Sequence, residues 1–268
     1  MFKKIVNGIL YLLSLCVVVL IFYSLYQYID TSIIAIVLNH PFVIIITFIS
    51  VLVFYFISAF LWAFIVTSFH ENLNLLTLMT IRSQGEFGKY LPGKVWNLAF
   101  ISYSAKKSLN LRISKSVSAS VIELYLSFVS LGLFIFLYYK LYYFIVLLLC
   151  TLPVLGYILK NFRVFFVGFF ISVISWLTVF YPFYVLVQLS EISLSFVQTS
   201  GLFSMGQTGG MVAFFIPAGL GVKEYIVVSL SGNQNLTNSV ILFRVVFIFA
   251  EIFRYIVFVL LRRKHAGQ

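Results

Sequence analysis

The chain has 268 residues, 62% of them apolar and 9% charged, against roughly 45–50% and 25% in an average soluble domain, which excludes an ordinary water-soluble globule. Its 31 Phe and 17 Tyr are spread through long apolar runs, with 15 Gly, 5 Pro and 2 Cys, so disordered, collagen-like and disulfide-stapled proteins are excluded too. The net charge of +11, from 18 Lys+Arg against 7 Asp+Glu, then points to loops that face anionic lipid and away from nucleic-acid binding.

This composition predicts an all-α, polytopic integral membrane bundle forming one domain over residues 1–268. A helix rising 1.5 Å per residue needs about 20 apolar residues to cross the hydrocarbon, and six runs approach or exceed that length. The first, Ile5 to Ile29, follows Lys3 and Lys4 as a signal peptide would. It is far longer than the roughly 7–15 residues of a signal core, and no small-x-small cleavage site follows it. It therefore reads as a retained span. Pro41 to Phe69 is the second.

Between Leu73 and Leu98 apolar residues mix with Arg82, Glu86, Lys89 and Lys94 around Pro92-Gly93. Such a segment either lies at the interface, anchored by Trp96, or re-enters the membrane. Its Gly88-Lys89-Tyr90-Leu91-Pro92-Gly93-Lys94-Val95 has the G-x-x-x-x-G-K spacing of a phosphate loop. Val95 stands where Ser or Thr would hold magnesium, and no strand pattern precedes it, so a nucleotidase is rejected.

Val117 to Tyr139, Leu141 to Leu159 and Val164 to Leu189 are spans three to five, with a tight hairpin at Lys140 between the first two. Cys16 and Cys150 lie inside apolar runs and serve packing. The stretch from Ser190 to Asn235 begins and ends on one side yet is strongly apolar, so it should dip in and return. Its second arm, Val222 to Leu230, has nine residues and is too short to cross alone. Pro217-Ala218-Gly219-Leu220-Gly221 breaks it from the first arm, and broken backbone at membrane depth is tolerated only against protein or a watery cavity. A re-entrant hairpin over residues 196–231 is the economical reading. Lys223 and Glu224 open its second arm, where unpaired N–H groups and the helix dipole favour an anion.

The sixth span, Leu236 to Leu261, carries Arg244, Glu251 and Arg254, which fall on one helical face at spacings of seven and three. Charges inside spans cost about 2.5–3.5 kcal/mol each on insertion scales, so these three, with Glu123 and Glu224, need partners or a polar path. Each has an alternative reading as a pairing that merely locks helices together. With the N-terminus inside, fourteen basic residues fall on the cytoplasmic side and Lys140 alone outside, so the positive-inside rule places both termini in the cytoplasm. One Asp and three scattered His leave no metal site, and no cofactor is expected.

Two segments carry a family resemblance. Gly85-Glu86-Phe87-Gly88-Lys89-Tyr90-Leu91-Pro92-Gly93-Lys94-Val95-Trp96 resembles the Y-[IL]-P-G-K-[VI]-W signature of the lysylphosphatidylglycerol synthase transmembrane-region family, the flippase-like proteins. Its motif residues here are Tyr90, Pro92, Gly93, Lys94 and Trp96. Pro217 to Glu224 is similar to that family's P-G-G-[LV]-G-V-R-E, with Ala218 for Gly, Lys223 for Arg and Tyr225 for the Gly that often follows. Lys offers a point charge and not a planar fork.

The resemblance implies a stand-alone flippase-like membrane module in the bacterial inner membrane. Seven residues follow Leu261, where the full-length synthases continue into an aminoacyl-transferase domain, so lysine transfer is not expected. The leading expectation is a translocase, or translocase accessory, for an anionic phospholipid or lipid-linked envelope precursor. Pro217, Gly219, Gly221, Lys223, Glu224, Arg244, Glu251 and Arg254 would form its headgroup site or gate, and Glu123, Glu224 or Glu251 would carry a proton. The alternatives are a membrane-embedded transferase acting on a lipid-linked aminoacyl or sugar group, and a non-catalytic scaffold for envelope-synthesis enzymes.

Overall fold

A computed structural model describes residues 31–69, 73–90, 95–158, 161–190, 192–213, 216, 219 and 221–266. Among them are ten α-helices, one 3₁₀ turn and no strand. Helix α1 is Thr31–Asn39 and α2 is Pro41–Thr67, with its proline in the first turn, where a missing N–H costs nothing. Helix α3, Leu75–Gly85, is capped by Asn74, whose side chain accepts from the Thr77 N–H at 3.1 Å. It runs into the 3₁₀ turn Glu86–Tyr90, and α4 is Val95–Leu109. Then come α5 (Ile113–Tyr138), α6 (Tyr142–Ile158) and α7 (Phe162–Leu189). The short connection at Lys140 takes positive φ, as a tight turn between antiparallel helices requires.

Helix α8, Phe196–Val212, opens with a capping box in which Ser195 and Gln198 satisfy each other's backbone N–H. Helix α9, Val222–Ser231, ends at Gly232 in the left-handed conformation, and α10 runs 31 residues from Leu236 to Ala266.

Helices α2, α5 and α7, at 26–28 residues, are long and apolar enough to cross a membrane. They coincide with the expected spans Pro41 to Phe69, Val117 to Tyr139 and Val164 to Leu189. The expectation of six full spans is met only in part. Ile5 to Ile29 lies outside the described residues. Leu141 to Leu159 forms α6, whose 17 residues reach only about 25 Å against a hydrocarbon thickness of about 30 Å. Leu236 to Leu261 lies within α10, which carries its three ionisable groups buried or half-buried.

Helix α2 packs along α7, α5 lies against both, and α10 crosses α2 and α3. One apolar cluster forms around Trp176, Phe180, Phe183 and Phe243, and a second around Trp62, Ile81, Leu126 and Phe165. The outward faces are apolar as well: Phe42, Ile46 and Ile49 on α2, Phe166, Phe170 and Ile174 on α7, and Phe249, Phe253 and Ile256 on α10 are all exposed. Meanwhile Glu86, Glu123, Glu251 and Arg254 are buried. Water would not tolerate apolar faces of this extent. The arrangement is compatible with a membrane protein whose exterior meets lipid, with the described acidic groups held inside.

Two helical hairpins are inserted into this frame. In the first, α3 and the 3₁₀ turn pack on α4, with Gly88 so close that a Cβ there would lie 2.6 Å from the Asn97 backbone nitrogen. Leu78, Ile81, Ser83 and Glu86 of this hairpin are buried in the bundle, while Val95 and Trp96 are exposed. In the second, α8 and α9 pack together through Gly206, Gly209 and Gly210, and Gly219 and Gly221 between them take positive φ. The break expected between the two arms is therefore present.

Candidate functional site

Helices α2, α5, α7 and α10 and both hairpins enclose one cavity of about 480 Å³. Phe54, Trp176, Phe183, Phe203, Phe243 and Phe247 supply aromatic lining, packed ring against ring. Four basic and four acidic side chains line the rest: Arg82, Lys89, Lys223 and Arg244 with Glu86, Glu123, Glu224 and Glu251. These four glutamates are all the acidic residues among those described. Serine hydroxyls from α2, α5 and α7 add neutral hydrogen-bonding groups.

The ionic groups are arranged in pairs. Arg82, on α3, bonds Glu123 of α5 through Nε at 3.0 Å and Nη2 at 3.0 Å, and its Nη1 lies 3.0 Å from Glu86. Glu86 in turn meets Arg254, which is fully buried behind the cavity wall with its guanidinium 4.4 Å from the centre of the Tyr55 ring. Burial alone would raise the Glu86 carboxyl, but the Arg254 and Arg82 guanidiniums outweigh it and hold the group well below the usual carboxylate range.

Glu251 gathers three donors on Oε2: Lys89 Nζ at 2.7 Å, the Tyr90 hydroxyl at 2.8 Å and the Tyr55 hydroxyl at 3.3 Å. Its Oε1 is buried with no hydrogen-bond partner among the described residues. On the second hairpin Glu224 Oε1 meets Arg244 of α10, and Lys223 Nζ donates to Gln207 Oε1 of α8 at 2.7 Å. Glu224 Oε2 and Arg244 Nε are likewise buried and unpartnered among the described residues. Such groups are rare in folded proteins and mark places where a ligand or water completes the site.

Of the residues singled out by sequence, most of those described meet at this cavity. Lys223, Glu224, Arg244, Glu251, Glu123 and Tyr90 line it, and Arg254 backs it. Gly219 and Gly221 shape the adjoining bend. Trp96 stands apart on the exposed side of α4 beside Phe100. Pro92, Gly93, Lys94 and Pro217 lie outside the described residues.

Sequence reasoning did not pick out Tyr55, Arg82, Glu86, Lys89 or Gln207 as site residues. Arg82, Glu86 and Lys89 recur at spacings of four and three, the same one-face signal that Arg244, Glu251 and Arg254 give. Tyr55 carries no such signal, being one hydroxyl in an otherwise apolar run.

Comparison with known proteins finds no match to a family model, a curated protein or a solved structure.

Proposed function

We propose that this chain is a multi-pass membrane protein that translocates an anionic lipid headgroup between leaflets, or assists its translocation, through the cavity between its two hairpins. The observation that carries the reading is the inverted charge distribution, with every described acidic side chain inside the bundle and broad apolar faces outside. Charge inside a membrane bundle is costly and is retained where a polar passenger or ion must be accommodated. The aromatic rings of the lining would receive the start of the acyl or prenyl tails, and its charged side chains the headgroup.

The two segments resembling flippase-like motifs support the same reading, because Lys89 and Tyr90 of one face the same cavity as Lys223 and Glu224 of the other. The proposal includes six spans, a bacterial inner membrane location with both termini cytoplasmic, and anionic lipids as partners. Purified protein in liposomes should accelerate leaflet exchange of a fluorescent anionic phospholipid, and Arg244→Gln should return the rate toward that of empty vesicles. Exchange no faster than in protein-free vesicles would refute the proposal.

A further inference from the structure

We infer that Glu224 is an internal stand-in for the passenger's phosphate: its carboxylate occupies the Arg244 guanidinium until an anionic headgroup displaces it and frees the second arm of the hairpin. This rests on the headgroup reading above and adds how the site is filled and opened.

The argument starts from charge. The cavity lining is balanced, four cations against four carboxylates, and Arg254 behind it raises the set to five against four. A phosphate monoester or diphosphate brings more negative charge than that surplus can neutralise. In a low-dielectric cavity the excess is expensive, so a carboxylate must give up its cation.

The structure shows which one yields. The Glu251, Glu86 and Glu123 side chains are 1%, 7% and 8% exposed, while Glu224 is 18% exposed. Glu251 accepts from three donors and Glu86 meets two guanidiniums, whereas Glu224 meets one, that of Arg244. Arg244 also keeps a spare donor, Nε, so its fork can engage an incoming phosphate before releasing the carboxylate.

The surroundings permit the exchange. Glu224 lies three residues after Gly221, which has positive φ and nothing within 4 Å of where a Cβ would stand. Val227 is the buried residue of α9, while Tyr225 and Leu230 are exposed. Once Glu224 lets go of Arg244, the arm is held to the core through Val227 and to α8 at Gly206, Gly209 and Gly210, so arm and α8 shift together.

Binding of dioctanoyl phosphatidic acid and of inorganic phosphate to the purified full chain in detergent tests this by calorimetry. Glu224→Gln should bind the lipid about tenfold more tightly than the parent, Glu224→Asp should tighten it by a smaller factor, and Arg244→Gln should weaken it. Tightening for the lipid alone assigns the exchange to a headgroup. Equal tightening for inorganic phosphate assigns it to a free anion and equally upholds displacement.

Unchanged affinity in both Glu224 variants overturns the inference. So does equal tightening in Glu251→Gln, which would make the effect one of net charge alone. If Glu224→Gln binds more tightly while the parent leaves vesicle exchange at the protein-free rate, displacement stands and translocation falls. If the parent exchanges lipid and Glu224→Gln binds no more tightly, the reverse holds.

Discussion

In the first hairpin Arg82, Glu86, Lys89 and Tyr90 reach α5 and α10 together, and Glu251 at the centre also accepts from α2. In the second, Lys223 is hydrogen-bonded within the hairpin and Glu224 reaches out to Arg244. Glycine packing is mixed in both: Gly88 is walled by the Asn97 backbone and Gly206 by the Lys223 carbonyl, while Gly85 faces the Ile101 side chain and Gly209 the tip of Ile226. By their ion pairs, one hairpin is built as a fixed wall and the other as a movable one, and a cavity that admits and releases a passenger needs both.

This contrast can be broken most forcefully at Arg254. Arg254→Met leaves Glu86 a buried charge short of one partner and should cost about 3–5 kcal/mol, the usual penalty for halving a buried pair. It would be read as a lowered thermal unfolding midpoint in detergent, with Glu86→Gln in the same chain restoring part of the loss.

Gly88→Ala should cost about 1–3 kcal/mol by overpacking, and Gly209→Ala under about 1 kcal/mol. Equal losses at the two sites would remove the distinction between backbone and side-chain walls. Arg244→Gln should cost about 1–3 kcal/mol, less than Arg254→Met, because its side chain is 15% exposed where that of Arg254 is fully buried. A loss as large as that of Arg254→Met would mean that the second hairpin is as fixed as the first.

At the small end, Tyr55→Phe deletes one of three donors to Glu251 and should cost about 0.5–1.5 kcal/mol. Hydrogen exchange should also show amides of Val222–Ser231 opening more readily than those of Leu75–Gly85.

Much of this arrangement is legible in the sequence, for reasons that mark where legibility ends. Apolar run length finds α2, α5 and α7, because hydrocarbon thickness sets a minimum that composition alone reveals. The break at Gly219 and Gly221 is visible because few residues other than glycine take such backbone angles. The common face of Arg244, Glu251 and Arg254 follows from helical periodicity.

Pairings are another matter. Which glutamate meets which cation depends on how distant helices cross, and Glu86 with Arg254, 168 positions apart, leaves no local trace. The setting of the first hairpin's charges is hidden for a related reason. The charges that look suited to solvent, Arg82, Glu86 and Lys89, find their partners inside the bundle, so a polar sequence becomes a buried one.

The account depends on the charged interior being wet and the apolar exterior being oily. Single cysteines at Ser127, which lines the cavity, and at Ile252, on the exposed apolar face of α10, separate these environments when placed in a chain lacking Cys16 and Cys150. A membrane-impermeant methanethiosulfonate reagent attacks only the hydrated thiolate. In sealed and permeabilised membrane vesicles, Ser127→Cys should be modified readily and Ile252→Cys should resist. Rapid modification of Ile252→Cys with Ser127→Cys inert would contradict the account.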